Sequence, residues 1–496
     1  MKYLSTRNKT VKVSAAEAIK EGLSYEGGLF VPESYPMLTE DDYNYLLSVP
    51  YTDRAAYILN KFLPEFSIEE LTEFSNKAYG NNKFGENEVI PLYKYDSRTE
   101  FLELWHGPTC AFKDMALQML PHLLTASIKK TDDKRVVTIL VATSGDTGKA
   151  ALDGFSDVEG SKIVVFYPKD GVSEIQRIQM ITQEGINVFV CGVDGNFDDA
   201  QTGVKNIFVN KEYNKKLNDN GIILSSANSI NWGRLAPQIV YYISAYADLV
   251  KNGSISLGDK INICVPTGNF GNILAAYYAK CMGLPIKKLI CASNSNNVLT
   301  EFINMGIYDK NRDFILTMSP SMDILISSNL ERYIFSAANN DDSYINKIMS
   351  ELNTFGKYTV TDEIKAKIAE DFYADFASEE ETLAEIKASF TDKKYLMDSH
   401  TAVASCVLKK YRQTTKDDTI TVVASTANPY KFNGSVLKAL EISHNTDDEF
   451  ELLKLLNEKS GLEIPEALST LKEKERRFTK TCEKKEMIDI VSEFLN

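Results

Sequence analysis

Lys113 stands in the stretch HGPTCAFKD, residues 106–114, where a His-Gly-Pro-Thr turn leads through Cys110, Ala111 and Phe112 to the lysine, with Asp114 directly after it. Ammonium groups are normally left in water, so one reading is a surface lysine at the start of a helix. The other is an amine in a desolvated pocket, where it loses its charge and serves as nucleophile or base. Three polar loops accompany it: TSGDTG at 143–148, TGNFGN at 267–272 and STAN at 425–428. Each alone also reads as a strand-to-helix turn, with glycine supplying φ > 0 and Ser or Thr an N-cap. GNFG lacks the G-K-[ST] of a Walker A loop and is not a dinucleotide fingerprint. Two close glycines nevertheless let backbone N–H groups converge on an anion at a helix N-terminus. A lysine suited to imine chemistry beside a one-phosphate loop suggests pyridoxal phosphate. That cofactor needs an amine for its aldehyde, a cradle for its phosphate and a partner for its ring nitrogen.

The elements that must position these residues follow a repeating pattern. RVVTILVAT, KIVVFYP and INVFVCGV are short β-branched runs, each followed by a polar loop and a helical stretch. The rhythm returns at KINICVPT, KLICASN and TITVVAST. Strand, glycine loop and helix in repetition indicate βαβ units and a parallel sheet, whose ligands bind outside the carboxyl ends of the strands. Before residue 95, SAAEAIKEGL and SIEELTEFSNKAYG read as helices and YEGGLFVPESYP as a loop. Residues 305–395 read as a charged helical insertion, and the C-terminal stretch from 441 as amphipathic helices in a solvated outer layer. Pro121, in the helix after Lys113, predicts a kink or an early end.

The totals exclude several classes. A chain of 496 residues is expected to form two or three domains. A net charge of −14 argues against nucleic acid or an anionic membrane as partner. Seven scattered cysteines without a C-x-x-C pair suggest reduced thiols in a cytoplasmic protein, and four histidines make a His-rich metal centre unexpected. No apolar run reaches the ~18 residues of a membrane span, and MKYLSTRNKTVKV lacks the apolar region of a signal peptide.

HGPTCAFKDMALQ resembles the cofactor-lysine segment of the threonine synthase family, fold-type II pyridoxal-phosphate enzymes built like the tryptophan synthase β subunit. YLSTR, GLSYEGGLFVPE, ATSGDTGKAAL, VSEIQRIQM, VDGNFDDAQTGVK, NSINWGRLAPQIVYY, VPTGNFGN, SPSMDILISSNLER, DSHTAV and STANPYKF follow in the family's order. The resemblance implies an α/β fold of parallel sheets flanked by helices, with an added N-terminal α/β domain. It implies Lys113 as the cofactor-bearing lysine and the loop Gly268, Asn269, Phe270, Gly271 and Asn272 as the cofactor-phosphate site. Thr426 would face the pyridine nitrogen and Asp146 would lie near the phenolic oxygen. Asn228, Ser229 and Arg234, with Thr143 and Ser144, would hold the substrate's phosphate. The sequence has Asn428 where a histidine is common, Ser399 where proline is common before His400, and Asn272 where aspartate is frequent.

The implied domains are 1–95, a catalytic region 96–440 in two halves meeting near 230, and a helical segment 441–496. The implied reaction converts O-phospho-L-homoserine and water to threonine and phosphate, in a monomer or homodimer. The competing readings are a synthase-like phospholyase forming a 2-oxo acid, a serine or threonine dehydratase, and a non-catalytic cofactor-binding protein. A dehydratase has no need of the phosphate set at 228–234.

Overall fold

The computed structural model describes residues 1–85, 88–143 and 145–495. Two parallel sheets carry the site. The smaller orders its strands Thr481–Cys482, Val188–Val193, Ser161–Pro168, Val136–Ala142 and Ile222–Ser225, all parallel. The larger orders Phe372–Phe376, Ile286–Ser293, Ile261–Pro266, Thr421–Ser425, Thr99–Glu103 and Leu92–Lys94. Its neighbours are parallel except the last pair, which is antiparallel. Ile261–Pro266 and Thr421–Ser425 are buried along their whole length, as expected for strands covered on both faces.

The helix Trp232–Lys251 packs against the helices Gly271–Cys281, Tyr51–Phe62 and Asp114–Leu117. All its residues but Asp248, Val250 and Lys251 count among its buried residues or lie in the core beside them. At ~1.5–3 kcal/mol for each large apolar side chain fully removed from water, Trp232, Leu235, Ile239, Val240 and Ile243 make it a principal contributor to the core. Asn231 caps it, accepting from the Gly233 N–H, and its Nδ2 donates to Ile19 O of the N-terminal helix Ala15–Glu21.

Several sequence expectations need correction. YEGGLFVPESYP is not all loop. Phe30–Pro32 is a buried strand pairing with Tyr3–Ser5 in a three-stranded antiparallel sheet, and its proline closes the strand. The stretch 305–395 is not a purely helical insertion, because Phe372–Phe376 forms the edge strand of the larger sheet beside Ile286–Ser293. The C-terminal segment is not only an outer layer. Thr481–Cys482 extends the smaller sheet, and Met487, Ile490 and Val491 of the last helix join its core. Sheet membership also crosses the division at 230, since Thr99–Glu103 belongs to the larger sheet and pairs with Thr421–Ser425. The early end expected at Pro121 is met: the helix after Lys113 stops at Leu117, and Pro121 lies in the first turn of the next helix, Leu120–Lys130.

Candidate active site

Five strands of the two sheets end toward the residues singled out above. Thr99–Glu103 leads to Lys113, Thr421–Ser425 to Thr426, Ile261–Pro266 to Gly268–Asn272, Val136–Ala142 to Asp146, and Ile222–Ser225 to Asn228, Ser229 and Arg234. Lys113 begins the short helix Asp114–Leu117, after Cys110 in the left-handed region at φ 59°. The segment is laced to the Thr426 strand end by Phe112 N–H donating to Thr426 O at 2.8 Å and Asn428 N–H to Cys110 O at 3.0 Å. Asp114 closes the preceding turn, accepting from Thr109 N–H at 2.8 Å and Thr109 Oγ1 at 2.6 Å. Burial pushes its carboxyl up to about 7.

The Lys113 side chain is buried, and burial pulls its amine below the ordinary lysine range against the opposing charge of Asp146. Its Nζ lies 3.3 Å from Ser321 Oγ and 3.7 Å from Asp146 Oδ2. Asp146 is held more closely by Lys431, whose Nζ is 2.6 Å from Oδ1 and also donates to Thr109 O at 2.8 Å. Gln176 Nε2 donates to the same carboxylate at 3.0 Å. Burial alone would raise Asp146, but Lys431 and Lys113 outweigh it and hold the carboxyl well below its usual range. The result is a desolvated amine beside a carboxylate already paired with a second lysine.

In the loop after Ile261–Pro266, Phe270 takes a left-handed conformation, φ 61°, and its ring is buried 5.5 Å from that of Phe372. The ring anchors the loop in the core, so Phe270 can meet a ligand only through its backbone. Gly271 opens the helix Gly271–Cys281. Asn272 Oδ1 accepts from Tyr241 OH at 2.8 Å and from Tyr242 OH, while Nδ2 is buried without a partner among the described residues. Asn329 braces the loop from behind, donating from its backbone and its Nδ2 to Asn269 O, each at 3.1 Å.

Arg234 lies in the first turn of Trp232–Lys251, buried, with Nη1 donating to Ala227 O at 2.8 Å. It pairs with no carboxylate among the described residues, and burial lowers it to about 10. The planar fork of a guanidinium in that position is free to bind an oxyanion bidentately. Asn228 is exposed, with Ser229 half-buried beside it. Thr143 is placed differently from its expected role. Its hydroxyl accepts from Gly145 N–H at 3.0 Å and Gly148 N–H at 2.9 Å, so it is committed to shaping the loop. Ser144 lies outside the described residues.

Thr426 is buried at the end of its strand, and its N–H donates to Thr401 Oγ1 at 3.3 Å. It does not cap the following turn. That position is taken by Asn428, whose side chain accepts from Tyr430 N–H at 3.0 Å. Ser399 occupies the first position of Ser399–Thr415, where a proline would also fit because no intrahelical donor is needed. Its hydroxyl donates to Met318 O at 2.5 Å.

Comparison with known proteins identifies the family. The description "Threonine synthase N terminus" matches residues 2–79, "Pyridoxal-phosphate dependent enzyme" residues 101–426, and "Threonine synthase, C-terminal" residues 401–491. Threonine synthase of Saccharomyces cerevisiae is 37% identical over 500 residues, covering 95% of this chain and 94% of that protein. The chain belongs to the threonine synthase family of pyridoxal-phosphate-dependent enzymes. The crystal structure of the pyridoxal-phosphate-bound threonine synthase of Brucella melitensis superimposes with a TM-score of 0.89 at 33% identity, covering 100% of this chain and 99% of that one. The yeast structure gives 0.89 at 34%, covering 100% and 98%. Human threonine synthase-like 1 is 41% identical over 486 residues, 95% of this chain. The chain spans 64% of the length of that protein.

Within this member of the threonine synthase family, Lys431, Ser321, His400 and Asn329 adjoin the site and were not singled out from the sequence. Their strings, STANPYKF, SPSMDILISSNLER and DSHTAV, carried the family likeness, but nothing in residue type or spacing showed that three distant segments converge on Lys113 and its loops.

Proposed function

We propose that this protein is a threonine synthase, converting O-phospho-L-homoserine and water to L-threonine and phosphate. The observation that carries the reading is Arg234, a buried guanidinium without a carboxylate partner among the described residues, near enough for its charge to act on the desolvated Lys113 amine. The residues fit pyridoxal phosphate. The partnerless Nδ2 of Asn272, with the N–H groups opening Gly271–Cys281, suits its phosphate. Lys113 would carry it, Thr426 would meet its ring nitrogen, and Asp146 with Lys431 would lie beside its oxygen. When bound, the cofactor supplies an electron sink for negative charge on the substrate's α-carbon.

Lys113 acts as the base at Cα, because burial shifts its amine below the ordinary lysine range and so favours the neutral form that can accept a proton. Arg234 binds the substrate's phosphate, with Asn228 and Ser229 at the rim, and stays in place to receive the charge that develops as phosphate leaves Cγ. The backbone of the loop shaped by Thr143 adds donors. Thr426 would present a hydroxyl rather than a carboxylate to the ring nitrogen, which would limit how strongly charge at Cα is stabilised and leave room for water to add at Cβ.

The same reading divides the chain into 1–95, 96–440 and 441–496 and makes the active form a monomer or homodimer. It places the protein in a reducing, cytoplasmic compartment, on the strength of its seven scattered cysteines. Among the described residues no helix is long and apolar enough to cross a membrane. A second reading is a phospholyase that yields a 2-oxo acid from O-phosphothreonine or O-phosphohomoserine, which would use the same Lys113 amine and the same buried Arg234. The carbon product distinguishes them. The synthase reading expects threonine with phosphate from O-phosphohomoserine, whereas a 2-oxo acid with phosphate, from O-phosphohomoserine or O-phosphothreonine, supports the phospholyase.

A further inference from the structure

Four side chains from three segments form a line that ends at the Lys113 amine. Asp398 is fully buried at the N-cap of Ser399–Thr415, where its carboxylate accepts from the N–H groups of His400 at 2.8 Å and Thr401 at 3.3 Å. The same Oδ1 lies 2.7 Å from His400 Nδ1. The other ring nitrogen, Nε2, is 3.2 Å from the backbone nitrogen of Ser321. An N–H can only donate, so Nε2 holds the lone pair and Nδ1 carries the hydrogen directed at Asp398. His400 is buried against the Phe432 ring, 4.8 Å away, which fixes its plane. Ser321 itself is exposed, and its hydroxyl is 3.3 Å from Lys113 Nζ.

The turn that carries Ser321 is supported on its other sides as well. The next residue but one, Asp323, accepts at Oδ1 from Asn294 Nδ2, Asn296 Nδ2 and Thr317 Oγ1, each at 2.8 Å, and at Oδ2 from Thr317 N–H at 3.0 Å. The Ser321 carbonyl rests on Gly268, where a Cβ would come within 2.8 Å of it. Ser321 is therefore tied through its N–H to His400, through its carbonyl side to the Gly268 loop, and through its side chain to Lys113.

We propose that Ser321 is a catalytic residue of this site and that Asp398 and His400 are positioning residues acting through it. The proposal rests on the reading of Lys113 as the cofactor-bearing base. A neutral amine has two hydrogens and one lone pair. Ser321 Oγ, 3.3 Å from Nζ, is placed to accept one hydrogen, while the Asp146 carboxylate at 3.7 Å attracts the amine electrostatically from a second direction, and together they bias the lone pair toward the open side of the site. A proton taken from the substrate's carbon stays on Lys113 nitrogen until it is returned. Ser321 gains and loses none, and only the direction of the nitrogen is set. Without the hydroxyl the amine is oriented by Asp146 alone, and fewer of its orientations are productive.

The test compares wild type with Ser321→Ala, Ser321→Thr, His400→Ala and the double variant Ser321→Ala/His400→Ala. Protein stripped of cofactor is mixed with pyridoxal phosphate, and the rate of return of the bound-cofactor absorption band is followed. Turnover of O-phosphohomoserine is measured in parallel. Ser321→Ala is expected to slow capture and to lower kcat by about tenfold each, with KM changing less than about twofold. Ser321→Thr, which keeps the hydroxyl, is expected to recover most of both. His400→Ala should slow capture in the wild-type background and add nothing further to Ser321→Ala. Capture by Ser321→Ala at the wild-type rate overturns the proposal, as does a Thr variant as slow as the Ala variant or an equal effect of His400→Ala in both backgrounds. Capture needs no substrate. If wild type fails to turn over O-phosphohomoserine, the reaction assigned above fails while the capture rates still decide Ser321.

Discussion

Arg234 is the side chain whose surroundings most restrict what the site can bind. A buried guanidinium that makes one bond to a backbone carbonyl and meets no carboxylate among the described residues has donors to spare for a ligand. Arg234→Lys keeps the charge but loses the planar fork. Inorganic phosphate, a product of the proposed reaction, is expected to inhibit wild type competitively, and the substitution should raise its inhibition constant by about tenfold. Cofactor binding should survive, because Asn272 and the Gly268–Gly271 loop belong to another strand end. Equal phosphate inhibition of variant and wild type would show the arginine to be structural. At this scale the sequence was most legible where residue type alone sets the chemistry, as for a lysine amine or an arginine guanidinium. It was least legible where backbone bonds decide the role. Thr143 spends its hydroxyl on Gly145 and Gly148, and the cap that Thr426 was free to supply is made by Asn428. A sequence shows that a Thr or Asn can cap a helix, but not which of several neighbours does.

Among the elements, the approach of two helices sets the distance between Lys113 and Asp146. Gly154 of the helix Asp146–Phe155 lies so close to the end of Asp114–Leu117 that a Cβ would come within 1.9 Å of Leu117 O. Gly154→Ala must therefore move one helix against the other, at about 1–3 kcal/mol in stability. The variant is expected to melt lower and to bind cofactor more weakly, and calorimetry with cofactor titration would check both. His122, on the next helix, stacks on Phe74 at 5.9 Å and is lowered to about 4, first by burial and then by Lys77 and Lys83. The unfolded chain therefore binds this proton more readily between the ordinary histidine value of 6.5 and about 4. The resulting stability is present above that window and is lost as pH falls through it. His122→Phe keeps the stack and removes the titration, so the melting temperature of wild type relative to the variant should drop from pH 7 to pH 5. A constant difference would contradict this. The strands with continuous β-branched runs were legible because burial on both faces imposes that composition. Phe30–Pro32, Thr99–Glu103 and Phe372–Phe376 were not, because short or edge strands take their identity from a partner far along the chain.

The whole molecule joins these elements through the N-terminal region. Arg7 pairs with Glu331 through Nε at 3.0 Å and Nη2 at 2.7 Å. The neighbouring Arg332, fully buried, donates from Nε to Phe30 O at 2.9 Å and from Nη2 to Ile230 O at 2.5 Å, and bonds Asn329 through Nη1. Asn329 in turn holds Asn269 and reaches Ser229 O at 3.3 Å. The N-terminal sheet thus braces the Gly268–Asn272 loop and the Ser229 segment together, a connection between residues 30, 230 and 330 that no local pattern in the sequence contains. The site assembled in this way is read as one that adds water to a carbon skeleton from which phosphate has left, and product chemistry tests that claim most directly. Cofactor-loaded protein is incubated with O-phospho-L-homoserine in ¹⁸O-labelled water, and the products are analysed by mass spectrometry. The account expects threonine and phosphate in equal amounts, with one label in the threonine hydroxyl. Phosphate accompanied by ammonia and a 2-oxo acid, with no labelled threonine, would contradict it.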